Sequence, residues 1–279
     1  MGGLFGRGDK QNPWIARGEQ AFEKQQYADA CSHYIRAAEL EPQNVDVLVR
    51  LANLQRYTGK YADALETYIK ITEADTGNRD AWVERALLEG NAGRFENALA
   101  SLGRITLTGE DTYLKERRCD WLSRVKKYSE AADAVKELAD ANPENELYHS
   151  QYADYLMRSG RYDAALEACT DLISSFPEHA GKYTNDAAFC AEICGDDETA
   201  LSLYRTLDEN DPTGWYRRAR LEEINGLFSD AASSYSRVQA HEGKDELQIS
   251  LRRINSLFWS GKAKEAGAEL ERLLAEKTE

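Results

Sequence analysis

The sequence predicts an all-α fold built from tandem pairs of short helices. A small residue returns at intervals of 31 to 35 residues along the chain, as Ala30, Ala64, Ala98, Ala131, Ala165, Ala200, Ala231 and Ala266. An aromatic residue stands three positions before it in most repeats, as Tyr27, Tyr61, Phe95, Tyr128, Tyr162 and Phe228. Self-similarity at this period is typical of helical repeat arrays, so these two observations set the fold class.

The first repeat shows how each pair of helices is encoded. Trp14, Gly18 and Ala21 follow one another at spacings of four and three, which predicts one face of a first helix. The matching face of a second helix carries Ala30, Tyr34, Ala37 and Ala38. We expect the small residues to let the two backbones approach closely. Pro42 then ends the second helix, because proline cannot continue the hydrogen-bond ladder.

Later repeats follow the same pattern. The matching residues are Trp82, Ala86, Gly93, Phe95 and Ala98 in the third repeat, Tyr152, Ala153, Gly160, Tyr162, Ala165 and Pro177 in the fifth, and Trp215, Ala219, Gly226, Phe228, Ala231 and Tyr235 in the seventh. Glycines fall between the two helices of a repeat, where a left-handed residue commonly ends a helix; they are Gly59, Gly93, Gly160, Gly226 and Gly261. The fourth repeat departs from this pattern, with Lys126 in the glycine position.

This order of residues resembles the tetratricopeptide repeat (TPR) family, and the resemblance covers about residues 11–277. It implies a right-handed α-solenoid superhelix of about eight helix-turn-helix repeats, whose first helices line a concave groove. We place the repeats at approximately 11–44, 45–78, 79–111, 112–145, 146–179, 180–211, 212–245 and 246–279, after a flexible N-terminal tail over residues 1–10. The last predicted helix has a polar outer face, so we expect it to cap a complete array.

Recurrent arginines occupy a first-helix position that is more often apolar in such repeats. They are Arg17, Arg85, Arg118, Arg218 and Arg253. We interpret them as structural, each with a buried stem and a guanidinium paired to a nearby carboxylate, in preference to a functional arginine track.

Composition narrows the class of protein. The formal net charge of −14 argues against general nucleic-acid binding, which requires a basic face. No apolar stretch reaches membrane-spanning length and the N-terminus lacks the apolar core of a secretory signal, so we expect a cytoplasmic protein. Five cysteines spread singly fit a reducing compartment.

Catalytic and metal-binding patterns are missing from the sequence. It contains no zinc-protease, nucleophile-elbow or kinase motif, so we expect no enzymatic activity and no cofactor. Cys190 and Cys194 are one helical turn apart, and a metal or redox pair there is the alternative. A structural metal site needs four ligands, and no histidine is close in sequence, so we predict no metal.

The predicted groove carries exposed aromatic and amide side chains on first helices. The residues expected to contact a partner are Phe22, Asn53, Tyr57, Phe189, Tyr216 and Phe258. Aromatic anchors with a polar surround are where binding energy concentrates, so a partner peptide or helix with apolar anchors would suit them. The alternative for each ring is packing within the array. Glu19, Asp80 and Glu84 would repel a carboxylate, which argues against the clamp that holds heat-shock protein C-termini.

A local basic cluster interrupts the acidic composition in the fourth repeat. Lys115, Arg117, Arg124 and Lys127 form its core. We favour a solvated, ion-paired helix here, with a docking patch for an acidic partner segment as the alternative.

These observations together predict a non-enzymatic adaptor or scaffold. It would present the groove to a protein or peptide partner and be monomeric on its own. The alternative is a structural subunit or assembly factor of a multiprotein complex that uses its convex face or its ends.

Overall fold

A computed structural model describes residues 12–207, 212–238 and 246–276. These residues form sixteen α-helices, one short 3₁₀ turn and no strand, which confirms the all-α prediction and a count of about eight helix pairs. The predicted tail over residues 1–10 lies outside the described residues. Packing divides the chain into two compact units, residues 1–127 and 128–279. The predicted boundaries of the individual repeats stay a prediction.

The first unit contains seven helices, each packed against the next along the chain. They are α1 (Pro13–Glu23), α2 (Tyr27–Leu40), α3 (Val45–Tyr57), α4 (Tyr61–Ala74), α5 (Arg79–Asn91), α6 (Phe95–Leu102) and α7 (Thr112–Arg124). Odd-numbered helices are the first helices of their repeats and even-numbered helices are the second. A core of Leu48, Ala52, Tyr68 and Ile71 joins α3 to α4.

The second unit contains nine helices in the same sequential arrangement. They are α8 (Tyr128–Ala141), α9 (Glu146–Arg158), α10 (Tyr162–Ser175), α11 (Ala180–Cys194), α12 (Asp197–Thr206), α13 (Pro212–Ile224), α14 (Phe228–Arg237), α15 (Glu246–Trp259) and α16 (Ala263–Glu276). The 3₁₀ turn Pro177–His179 leads into α11.

Asparagine side chains begin several first helices. Oδ1 of Asn12, Asn44, Asn78 and Asn145 each accepts a hydrogen bond from a backbone N–H of the first turn. These bonds satisfy donors that have no partner within the helix. The caps fix where α1, α3, α5 and α9 begin, and therefore which residues lie in their first turns.

The recurrent alanines are the points of closest helix contact. Seven of the eight have no exposed surface, and Ala266 is 4% exposed, which confirms the packing role predicted for them. Gly18 serves the same purpose, because a Cβ added there would lie 2.7 Å from the Tyr34 ring. The turns between paired helices are left-handed at the predicted glycines and at Lys126, where φ is 60°.

The recurrent aromatics connect one repeat to the next. Each begins a second helix, and most of them contact a side chain toward the end of the following first helix. The pairs are Tyr27–Tyr57 at 5.0 Å, Tyr162–Phe189 at 6.0 Å and Phe228–Trp259 at 6.3 Å between ring centroids, and Phe95–Arg124 at 5.9 Å. The aromatic period seen in the sequence is therefore a period of contacts between repeats.

Candidate partner-binding cleft

A cleft of about 710 Å³ lies in the first unit, where α3, α4 and α5 meet. Its lining combines aliphatic, amide and charged side chains: Val45, Asp46, Val49, Arg50, Asn53, Tyr68, Asn78, Arg79, Asp80, Ala81, Val83 and Glu84. Most of these residues belong to the first helices α3 and α5, which the sequence analysis assigned to a groove. Of the six residues predicted to contact a partner, the cleft includes Asn53.

Tyr68 holds the Asn53 amide in one orientation. The Tyr68 hydroxyl donates to Oδ1 of Asn53 at 2.7 Å, which leaves the NH₂ group of this lining residue as a donor. Burial and the nearby Glu84 carboxylate raise the pKa of Tyr68 to about 12. The phenol therefore keeps its proton, and the orientation of the amide, across the physiological pH range.

Asn78 provides a second oriented amide in the cleft. Its Oδ1 accepts from the backbone N–H of Ala81 at 3.0 Å as the cap of α5. The oxygens of both cleft amides are thus engaged within the protein. Their NH₂ groups are suited to the carbonyl oxygens of an extended peptide main chain.

Most charged groups of the cleft are neutralised by neighbours. Arg50 pairs with Glu19 at 2.9 Å, Arg79 with Asp111 at 2.6 Å, and Glu84 with Arg56 at 3.4 Å. Asp46 and Asp80 have no ion-pair or hydrogen-bond partner within the described residues, and both are exposed. The uncompensated charge of the cleft is therefore negative.

Similarity to known proteins agrees with this repeat architecture. Models of the tetratricopeptide repeat family match residues 21–88 and 122–180. The chain is a tetratricopeptide repeat protein. No curated protein sequence matches it significantly.

The solved structures that resemble this TPR protein share little sequence with it. The structure of Naa15/Naa10 bound to HypK-THB aligns with a TM-score of 0.70 at 16% identity, over 95% of this chain and 42% of that chain. The crystal structure of MamA protein gives 0.46 at 17% identity, over 60% and 92%. A tetratricopeptide repeat protein from Parabacteroides merdae ATCC 43184 gives 0.43 at 19% identity, over 88% and 98%. The TPR chain spans less than half the length of the first of these chains.

Two further residues predicted to contact a partner, Phe22 and Tyr57, lie in the first unit. Both rings contact Tyr27, at 5.7 Å and 5.0 Å between centroids, at the ends of α1 and α3. Phe22 is 50% exposed and Tyr57 is 71% exposed. They form an accessible aromatic cluster, and neither ring lines the cleft beside Asn53.

The predicted contact residues of the second unit lie in different surroundings. Phe189 is half-buried, with Tyr162 at its edge and the Arg217 guanidinium 4.4 Å from its centroid. Tyr216 is half-buried against Tyr235. Both rings therefore contact side chains within the TPR array and keep part of their surface exposed.

Phe258 is the most accessible of the predicted contact residues in the second unit. It is 56% exposed and contacts Trp259 at 5.6 Å. Trp259 is 67% exposed and reaches Phe228 at 6.3 Å. These three rings form a second exposed aromatic cluster near the end of α15.

The basic cluster of α7 is interspersed with internal contacts. Arg124 pairs with Asp120 at 3.4 Å and stacks over Phe95, and Arg117 stacks over the Tyr113 ring at 5.7 Å. Lys115 and Lys127 also have interaction partners within the protein. These contacts agree with the favoured interpretation of an ion-paired helix.

The cysteine that contacts Cys190 is Cys169, and not Cys194 as the sequence spacing suggested. Cys190 is buried and hydrogen-bonded to Cys169 of α10, whereas Cys194 is exposed. Within the described residues, one group has the ligand spacing for a metal ion, namely Glu146, Glu178 and His179. Glu146 already contacts His179 at 2.8 Å and accepts a short hydrogen bond from Tyr183. This arrangement joins α9 to α11 as a polar contact.

The recurrent arginines behave largely as interpreted. Arg85 pairs with Glu89 at 3.0 Å, Arg218 with Glu222 at 2.8 Å and Arg253 with Glu269 at 2.9 Å. Arg17 instead stacks over Trp14, 4.8 Å from the ring centroid.

Neither role of Asn78, as the cap of α5 or as a lining residue of the cleft, was predicted from the sequence. An asparagine directly before a predicted apolar face was the available signal.

In the part of the chain that the structure describes, no helix is both long and apolar enough to cross a membrane.

Proposed function

We propose that this TPR protein is a non-enzymatic scaffold that binds a peptide segment of a protein partner in the cleft of the first unit. The oriented amides of Asn53 and Asn78 beside Val45, Val49 and Val83 carry this proposal. The two side-chain NH₂ groups can donate to main-chain carbonyl oxygens and the valines offer aliphatic contacts, which is the combination that an extended peptide requires.

The exposed aromatic clusters would extend the contact surface. Phe22 and Tyr57 would hold apolar anchors of the same partner, since both rings are accessible in the first unit. Phe258 would do so in the second unit, and Phe189 and Tyr216 would support neighbouring side chains. Lys115, Arg117, Arg124 and Lys127 form the surface for an acidic partner segment in the alternative interpretation.

The test is selection of a displayed random heptapeptide library on the purified full chain. Peptides enriched on wild type are resynthesised and their affinities measured for three variants. Val49→Phe adds bulk to the cleft and Asn53→Ala removes an amide donor, while the control Glu66→Ala changes an exposed side chain of α4 outside the cleft lining. Circular dichroism confirms that each variant is folded.

Loss of binding in Val49→Phe and Asn53→Ala, with wild-type affinity in Glu66→Ala, would support the cleft. Equal affinity in all folded variants would overturn it, as would a library that yields no cleft-dependent peptide.

A second candidate function is that of a structural subunit in an assembly. The exposed Phe258 and Trp259 favour it, because contiguous exposed apolar surface commonly marks a site of protein–protein interaction. Sedimentation velocity on a dilution series, with Trp259→Ser beside wild type, tests it. A dimer or larger species that persists on dilution and disappears in the variant would support this function, and a monomer at every concentration would exclude self-assembly.

A further inference from the structure

The cleft of the first unit has a specific charge preference. Resting on the proposed peptide-binding function, we infer that the bound segment carries a lysine or arginine, whose side chain lies between Asp46 and Asp80. The occupant is thus a basic segment with an adjoining aliphatic residue.

The pattern of ion pairs inside the cleft carries this inference. Both lining arginines are held by acids from outside the cleft lining, Arg50 by Glu19 and Arg79 by Asp111. The lining glutamate, Glu84, is held by Arg56. Among the residues described, the carboxylates of Asp46 and Asp80 therefore have no ion-pair partner. Every basic side chain that lines the cleft is already paired.

The two carboxylates occupy equivalent positions in consecutive repeats. Asp46 is the second residue of α3 and Asp80 is the second residue of α5. Neighbouring first helices thus present the same charge to one cleft from equivalent positions. A single cation between them would receive attraction from both, whereas a carboxylate at this place would be repelled by both.

The rest of the lining defines what accompanies the basic side chain. Val45, Val49 and Val83 offer aliphatic surface, and the NH₂ groups of Asn53 and Asn78 can donate to the main-chain carbonyl oxygens of a bound segment. The stem of a lysine or arginine can pack on the aliphatic surface while its charged end reaches the carboxylates. One basic residue flanked by an aliphatic residue satisfies all of these groups.

A purely structural role predicts something different for the same carboxylates. Acids in the first turn of a helix interact favourably with the helix dipole, so Asp46 and Asp80 also stabilise α3 and α5. Asp63 occupies the first turn of α4, is exposed, and does not line the cleft. Asp63→Asn therefore removes a first-turn charge from the same unit and leaves the cleft unchanged, which makes it the matched control.

The experiment uses synthetic heptapeptides from the library selection, each made in pairs with the basic residue kept or changed to glutamine. Fluorescence anisotropy measures their affinity for wild type, the double variant Asp46→Asn/Asp80→Asn, and Asp63→Asn. We expect the enriched peptides to contain lysine or arginine. The double variant should weaken binding about three- to tenfold, and Asp63→Asn should leave it unchanged.

A double-mutant cycle identifies the contact itself. The glutamine peptide should bind wild type as weakly as the basic peptide binds the double variant, with little further loss when both changes are combined. Affinity of the basic peptide should also fall as salt rises from about 50 mM to about 300 mM, and the double variant should lose most of that dependence.

The outcomes distinguish this inference from the proposed function. Cleft-dependent peptides without basic residues, or basic peptides that bind the double variant as tightly as wild type, would overturn the inference and leave peptide binding intact. Preference for acidic peptides would overturn it as well. If no peptide depends on the cleft, the proposed function itself fails.

Discussion

Glu222 in the seventh repeat makes the same buried contacts that Glu89 makes in the third. Oε1 of each carboxylate accepts from Nε of an arginine one turn earlier, Arg85 or Arg218. Oε2 of each accepts at 2.6 Å from a serine hydroxyl of the following helix, Ser101 or Ser234. Glu89 is 2% exposed and Glu222 is fully buried, so both charges depend on these partners.

Removing the serine hydroxyl should therefore destabilise either repeat. Ser101→Ala and Ser234→Ala each leave a buried carboxylate oxygen without a donor, which costs about 1–3 kcal/mol. Urea unfolding followed by circular dichroism measures the loss. The control is Ser233→Ala, next to Ser234 on α14 but exposed, where we expect a change within about 0.5 kcal/mol. Equal stability of Ser233→Ala and Ser234→Ala would show that the hydroxyl is dispensable.

Gly90 is required by its neighbour Trp121. A Cβ at position 90 would overlap the indole ring, which is 2% exposed and cannot move aside freely. Gly90→Ala should lower the free energy of unfolding by about 1–3 kcal/mol, despite the better helix propensity of alanine.

Gly267 provides the opposite result for the same substitution. It lies within α16 with nothing inside 4 Å of an added Cβ. Gly267→Ala should therefore raise stability by up to about 1 kcal/mol. Thermal unfolding of the two variants beside wild type checks both signs, and stabilisation by Gly90→Ala would contradict the close approach of α5 and α7.

Asp111 should make stability depend on acid pH. Hydrogen bonds from the Thr108 backbone, from Arg79 and from the Thr108 hydroxyl lower the pKa of Asp111 to about 2. Because the folded state holds this proton less tightly than the unfolded state, the contribution is present above about pH 4 and is lost as the pH falls toward about 2.

Asp111→Asn should accordingly melt at a lower temperature than wild type near neutral pH. The difference should shrink as both proteins are acidified through this range. Melting curves at a series of pH values measure it, with Asp63→Asn as the exposed control. A difference that stays constant with pH would mean that the charge of Asp111 contributes nothing.

Cys194 should be the one cysteine accessible to reagents in the folded protein, and it should react slowly. The other four thiols are buried. Desolvation and the Asp163 carboxylate raise the pKa of Cys194 to about 11, which keeps the reactive thiolate scarce near neutral pH. Asp163→Ala should accelerate labelling by a chromogenic disulfide several-fold, and Cys194→Ser should abolish it. An unchanged rate in Asp163→Ala would exclude the carboxylate as the cause.

The fold could be predicted well because small and aromatic residues recur at the interval of the structural repeat. Ala30 and its counterparts are buried because each must let two helices approach, so size alone identifies them. The same reasoning placed Asn53 outside the packing face of its first helix, and Asn53 is exposed and lines the cleft.

The remaining features depend on contacts that spacing does not reveal. Glutamate is usually exposed on a helix, so the burial of Glu89 could not be predicted from its residue type. Its buried carboxylate depends on a hydrogen bond from Ser101, which lies on another helix. Phe189 was predicted to be exposed because it lies off the packing face, but it is half-buried beside Tyr162 and Arg217 of neighbouring repeats. Ion pairs such as Arg50–Glu19 join different repeats, so the net charge of the cleft could be determined only from the structure.

The polar contact between Arg85, Glu89 and Ser101 has a consequence for protein engineering. All three side chains belong to one repeat, as do Arg218, Glu222 and Ser234 in its counterpart. A designer who transplants either helical hairpin into another array carries the complete charge compensation with it. A designer who grafts only one helix of the hairpin would bury an ion whose counterpart stayed behind.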